Sequence, residues 1–136
     1  MYDELIEGRV YFGGADDAEQ VVHEKEIDKV IDVRVNGRTE QVAYTYIHKP
    51  IADESENTAD SIKAGVEEGV KAYEAGENVY FHCGSGGGRA GVMAVATLIE
   101  LGVAKSLDEA ELMAKRARPK VNIRPKMREA LETLYK

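Results

Sequence analysis

The sequence lacks most of the residues that mark a secreted, metal-bound or membrane-spanning protein. Among its 136 residues there is one cysteine, Cys83, so no internal disulfide can form and a disulfide-stapled scaffold is excluded. The three histidines, His23, His48 and His82, are scattered. With a single cysteine they make no metal-ligand pattern, and the chemistry is expected to need neither a metal nor another cofactor. Positive charge is also short. Eighteen Lys and Arg against 25 Asp and Glu leave a net charge of −7, which argues against an extended nucleic-acid surface. No apolar run approaches the roughly 20 residues of a spanning helix. Met1 leads into Asp3 and Glu4 rather than into a basic and then apolar leader, so neither membrane association nor export is expected. A reducing cytoplasm is the expected setting.

What remains is an ordinary globular composition, 43% hydrophobic and 32% charged, on a chain long enough for one core. Residues 1–136 are expected to form a single domain. Val10-Tyr11-Phe12 reads as a strand ended by Gly13-Gly14, Asp16 to Lys25 as a short helix, and Lys29 to Val33 as a second strand. Asn36-Gly37 signals a turn, and Tyr44 to His48 reads as a third strand stopped by Pro50. Thr58 can cap a helix whose face is Ile62, Val66, Val70 and Tyr73, closed by Gly76. Asn78 to His82 is a fourth strand and Val92 to Leu101 an apolar helix. Helices over Leu107 to Ala117, with Ser106 and Glu109 as a capping box, and Pro125 to Tyr135 follow. This alternation predicts an α/β fold with a mostly parallel central sheet and helices on both faces. Ligands then bind beyond the carboxyl ends of the strands.

At such an end lies His82-Cys83-Gly84-Ser85-Gly86-Gly87-Gly88-Arg89-Ala90-Gly91. A thiol and a guanidinium stand six positions apart across a loop with almost no side chains, leading into a helix. Successive backbone amides in Gly84, Ser85, Gly86, Gly87 and Gly88 can curl around a phosphate dianion, and the helix N-terminus adds positive field. That field also favours thiolate over thiol at Cys83. Arg89 offers a planar fork for two phosphoryl oxygens. Gly86, Gly88 and Gly91 also satisfy a dinucleotide-binding spacing, but the strand and acidic residue which that reading needs about twenty positions later are replaced by a helical stretch.

The loop resembles the signature of the protein tyrosine phosphatase superfamily, carried by His82, Cys83, Gly86, Arg89 and Gly91. The resemblance is closest to the small dual-specificity branch. Gly8 to Gly14, Asp28 to Val33, Arg118-Pro119 and Ile123-Arg124-Pro125 are similar to its opening strand, second strand and the segment before its last helix. It implies a metal-independent phosphomonoester hydrolase in which Cys83 is the nucleophile, Arg89 binds phosphate and an upstream Asp is the general acid. Asp53 is the candidate acid, with Glu54, Glu56 and Asp60 as rivals, and His82 orients the loop. The substrate it implies is a phosphorylated protein, phosphotyrosine first, or a small aryl phosphate, with phosphate and vanadate as inhibitory oxyanions.

Three departures qualify the pattern. Ala90 stands where the family carries a hydroxyl that stabilises the departing thiolate, so breakdown of the phosphoenzyme is expected to be slow. Four glycines between Cys83 and Arg89 predict a loop that passes between collapsed and phosphate-ready states. Lys126 replaces an Asn. The other reading left open is a module with a phosphatase fold that binds phosphoproteins and hydrolyses them poorly or not at all. Basic residues also thicken at Lys115, Arg116, Arg118, Lys120, Arg124, Lys126 and Arg128. These form either a solvated helical face or a rim that attracts anionic substrates.

Overall fold

A computed structural model describes residues 1–52 and 57–135. Five strands, β1 (Asp3–Ile6), β2 (Val10–Gly14), β3 (Lys29–Asp32), β4 (Tyr46–His48) and β5 (Val79–Cys83), form one sheet in the order β1-β2-β5-β3-β4. Helix α1 (Ala18–Glu24) follows β2 after a 3-10 turn at Ala15–Asp17. Then come α2 (Thr58–Glu74), α3 (Arg89–Glu100), α4 (Leu107–Ala117) and α5 (Pro125–Tyr135). Four strands run parallel, and β1 alone pairs antiparallel, with β2.

Strand alternation divides the core in two. Val10, Phe12, Ile31, Val79, Phe81 and Cys83 face the layer built from α2 to α5, whereas Tyr11, Val30 and Tyr80 face α1 through Ala18 and Val21. Helices therefore cover both faces of the sheet, four on one side and one on the other. Helix α3 is buried from Ala90 to Leu98, as its unbroken apolar run requires. On α2, Ile62 and Val66 are buried as expected, but the other buried residues are Thr58, Gly65, Gly69 and Ala72, with Val70 and Tyr73 only half-buried. The two glycines bring α2 close to α3: a Cβ on either would touch Met93, at 3.6 and 3.5 Å.

Several boundaries differ from the sequence reading. Strand β1 has no expected counterpart, because its short, partly exposed segment Asp-Glu-Leu-Ile carries no burial pattern. Gly13 and Gly14 continue β2 instead of ending it, paired with His82 and Cys83. Thr58 is the first residue of α2 and Asn57 its N-cap. The expected Ser106 cap is present, its hydroxyl accepting the Glu109 amide at 3.1 Å. Helix α3 begins at Arg89, three residues earlier than its apolar run suggests, which sets the arginine in its first turn.

Because β2, β5, β3 and β4 are parallel, Gly14, Cys83, Asp32 and His48 lie together at one end of the sheet. The loop 84–88 leaves the central strand there.

Candidate active site

Cys83 ends the fully buried strand β5 and is itself 5% exposed. Its Sγ accepts the Gly86 amide at 3.2 Å. The loop between this thiol and Arg89 is held from outside by its carbonyls. The Ala15 amide donates to Gly84 O (3.1 Å) and the Asn122 amide to Gly87 O (2.8 Å). Arg118 donates from Nη2 to Ser85 O (2.9 Å) and from Nε to Gly86 O (3.1 Å). His82 Nδ1 donates to Cys83 O (3.0 Å), and Val92 N donates to Gly88 O as α3 begins. Each carbonyl from Cys83 to Gly88 thus has a donor. By contrast, the amides of Ser85, Gly87 and Gly88 meet no acceptor among the described residues. Unmet donors around an anion-sized loop at a helix start are what a phosphoryl group can satisfy.

Two of the loop glycines are required by packing. Gly86 has φ +84°, and a Cβ there would lie 2.5 Å from the Gly13 carbonyl carbon. At Gly87 a Cβ would lie 2.7 Å from the Lys120 carbonyl. Gly84 has open space around it. The glycine run therefore serves close approach to β2 and to the segment before α5, and the bonded carbonyls supply the restraint that the sequence alone did not suggest.

Arg89 begins α3, and its Nε donates to the Ile51 carbonyl at 2.7 Å. Ile51 is fully buried, and its own amide bonds Val33 O at 3.1 Å. The start of the acidic loop is thereby tied to the arginine that follows the loop 84–88. Asp53, Glu54 and Glu56 lie outside the described residues. Asp60 is in the first turn of α2. Ala90 is fully buried, with no hydroxyl to offer.

His82 faces away from Cys83, toward the α1 side of the sheet, stacked 5.7 Å from the Tyr80 ring. Burial pushes its pKa down, partly offset by the Cys83 carbonyl and by Asp32, whose Oδ1 is 3.8 Å from Nδ1. The neutral ring carries its proton on Nδ1, since its partner there is a carbonyl, and Nε2 is buried without a partner among the described residues. Asp32 is fully buried. Burial raises its pKa, but hydrogen bonds from the Arg34 side chain and amide and from Tyr46 outweigh that and hold it below its ordinary value. Sequence reading passed over Asp32. Its signal was a carboxylate inside the apolar run Val30-Ile31-Asp32-Val33. Arg118, counted only among the basic residues and in the family resemblance, is 6% exposed and also bonds the Met1 carbonyl and Asp3 Oδ2. Among the described residues no three His, Cys, Asp or Glu side chains gather into a metal-sized group.

Over residues 11–103 the chain matches the model of a family described as "Polymorphic toxin system, DSP-PTPase phosphatase". The chain belongs to this family. It is a phosphatase family of the protein tyrosine and dual-specificity type, and the fold agrees. Human DUSP28 superposes at a TM-score of 0.83 with 19% identity, covering 98% of this chain and 92% of its own. Tk-PTP in its active form gives 0.81 with 23% identity, covering 98% and 95%. PTPMT1 in complex with PI(5)P gives 0.80 with 22% identity, covering 98% and 94%. At these identities the likeness is one of fold. No curated protein matches the chain. Among the described residues no helix is long and apolar enough to cross a membrane.

Proposed function

We propose that residues 1–136 act as one cysteine-dependent, metal-independent phosphomonoester hydrolase of the protein tyrosine and dual-specificity type. The observation that carries the reading is the loop itself: a thiol receiving a loop amide, unmet amides beside it, every loop carbonyl turned to a partner, and an arginine opening the next helix. Cys83 Sγ attacks phosphorus, forming the S–P bond as the P–O bond to the leaving group breaks. Asp53 gives its proton to the leaving oxygen. Water then attacks the phosphocysteine, the Asp53 carboxylate takes its proton, and the S–P bond breaks to return thiolate and phosphate. Amides of residues 84–88 and the Arg89 fork follow the charge on the phosphoryl oxygens, and His82 holds the Cys83 carbonyl. The sole cysteine suits a reducing cytoplasm. The family's description speaks of polymorphic toxin systems, and we take that setting over for this chain.

The substrates are phosphoproteins, phosphotyrosine first, and small aryl phosphates. Phosphate and vanadate compete for the loop. A second reading, a phosphoprotein-binding module with little turnover, is favoured by one feature, the buried Ala90 in place of a hydroxyl. Hydrolysis of an aryl phosphate in the presence of a chelator tests both. Wild type is expected to turn over, Cys83→Ser to be inactive and Asp53→Asn to lose most activity. Ala90→Ser should raise the steady-state rate relative to the initial burst. Turnover that survives Cys83→Ser would refute the mechanism; vanadate binding with no turnover in wild type would establish the module.

A further inference from the structure

A cavity of about 500 Å³ lies between the start of α1 and the segment 38–44. Ala15 belongs to its lining and also adjoins the candidate site. Gly14 pairs with Cys83, and the Ala15 amide that follows donates to Gly84 O. The cavity and the loop 84–88 thus share this residue as a wall. Its other side is fixed in place. The Arg38 amide donates to the Tyr46 hydroxyl at 2.7 Å, which donates in turn to the buried Asp32 at 2.6 Å, and Arg38 Nη2 donates to the Ala15 carbonyl at 2.5 Å. Val22 and Tyr44 pack on the small core of Tyr11, Val30 and Tyr80. The walls are therefore formed before any ligand arrives.

The lining is part apolar and part acidic. Val22, Val42 and the Tyr44 ring supply the apolar part, and Asp16, Glu19 and Glu40 set three carboxylates against Arg38 and His23. Arg38 is bonded to Ala15 and stands 3.9 Å from Glu40, whereas Asp16 and Glu19 have no ion-pair partner among the described residues. Burial pushes the Tyr44 phenol up, and Glu19 and Glu40 push it the same way against Arg38, which sets the ring among these charges. Its hydroxyl has no hydrogen bond among the described residues. Arg38 Nε is likewise buried and unmet there, a donor that the carbonyl of a bound chain can satisfy.

We propose that this cavity receives a lysine or arginine side chain of the substrate protein, near in sequence to the phosphorylated residue, so that the protein favours phosphosites with a basic flank. The inference rests on the phosphatase reading above, because the phosphate held in the loop sets where the flank falls. A lysine or arginine has an apolar stem and a charged head. The stem lies against Val22 and Val42, and the head meets the carboxylates of Asp16, Glu19 and Glu40 and the face of Tyr44. An uncharged aliphatic side chain fits the walls but leaves the carboxylates unmatched, and an acidic one is repelled. The charge of the whole chain works in the same direction, since a net −7 draws basic segments toward the protein. An aryl phosphate has no flank and gains nothing from the cavity.

The test is a ratio of specificity constants, so that any general effect on the loop cancels. Phosphotyrosine peptides carrying lysine, norleucine, glutamine or glutamate at successive positions on either side of the phosphotyrosine are compared. In wild type we expect kcat/KM about tenfold higher for the best-placed lysine than for glutamine there, mainly through KM, with norleucine between them and glutamate lowest. This preference should shrink as salt rises, because exposed charges are screened. In Asp16→Asn/Glu19→Gln/Glu40→Gln it should fall to about twofold or less, with aryl phosphate turnover unchanged. Ala43→Trp, at an exposed position in the lining, obstructs the cavity without altering charge and should remove the preference too. A control, Glu7→Gln/Glu26→Gln/Glu74→Gln, removes three exposed carboxylates near the opposite end of the sheet and should keep it. A wild type indifferent to flanking lysine, norleucine equal to lysine, or a preference that survives either cavity variant would overturn the proposal. So would an equal loss in the control, which would assign the effect to net charge alone. If wild type binds phosphopeptides but hydrolyses none, the phosphatase reading fails separately, and the cavity is judged by the same ratios of Kd.

Discussion

Gly86 and Gly84 stand two residues apart in the same loop under opposite constraints. An L side chain at Gly86 would have to adopt a left-handed backbone, at a cost of about 1–2 kcal/mol, and would also press on Gly13. Gly86→Ala is therefore expected to lower the denaturant midpoint and abolish turnover, whereas Gly84→Ala should change stability by no more than about 0.5 kcal/mol. His82 and Asp32 give the fold a dependence on pH in two separate windows. The His82 pKa is lowered by burial, so below the unfolded value of about 6.5 the unfolded chain takes up a proton that the native ring resists, and stability falls as pH falls. Asp32 acts lower. Its pKa is depressed in the native state, so its stabilisation is present above the unfolded value of about 4 and is lost as pH falls through the native value. Urea midpoints measured from pH 7.5 to 5 should decline in wild type and decline less in His82→Asn. Equal slopes in the two proteins would show that the buried ring does not set this dependence.

At the scale of elements, the segment between α4 and α5 decides whether the loop is shaped. Its Arg118 joins Ser85 O and Gly86 O to Met1 O and Asp3, so one side chain couples the loop 84–88 to β1. Removing it leaves buried acceptors unmet, each worth about 1–3 kcal/mol. Arg118→Ala should unfold at lower denaturant and, under conditions where it is folded, bind vanadate more weakly. Arg118→Lys should recover part of the stability and less of the binding, because a point charge cannot span four acceptors in different directions. A vanadate affinity unchanged in Arg118→Ala would show that the loop keeps its shape without this strut.

Across the whole molecule, β1 covers one edge of β2 and, with Met1 just before it, holds two of the Arg118 partners, Asp3 and the Met1 carbonyl. Deleting residues 1–6 should therefore uncover a strand edge and loosen the loop 84–88 at once. The expected outcome is lower stability with self-association, read by unfolding and light scattering, and reduced vanadate affinity in whatever remains monomeric. A monomer of wild-type stability would make β1 an ornament of the sheet.

Much of this architecture was legible in the residues themselves. The short apolar strands around Val30, Tyr80 and Phe81, the apolar run of α3 and the Ser106 cap each depend on local sequence, and the proposed chemistry of the loop from Cys83 to Arg89 was read from residue types at fixed separation. Strand β1 was not legible, since its four residues are justified only by pairing with β2. Nor could sequence separate Arg118, which braces the loop, from Arg128, which joins acidic side chains, and from Lys120 and Arg124, which stand out beside the loop, because one stretch of basic residues looks alike until a fold gives each a direction. The same holds for the glycines. Sequence showed that the loop can bend around an anion, but only the approach of Gly13, Lys120 and Arg118 determines which glycines are indispensable and what keeps the carbonyls turned away from the site. Local chemistry travels with the chain, whereas restraint comes from partners as distant as Met1 and Arg118 and exists only once the tertiary structure has brought them together.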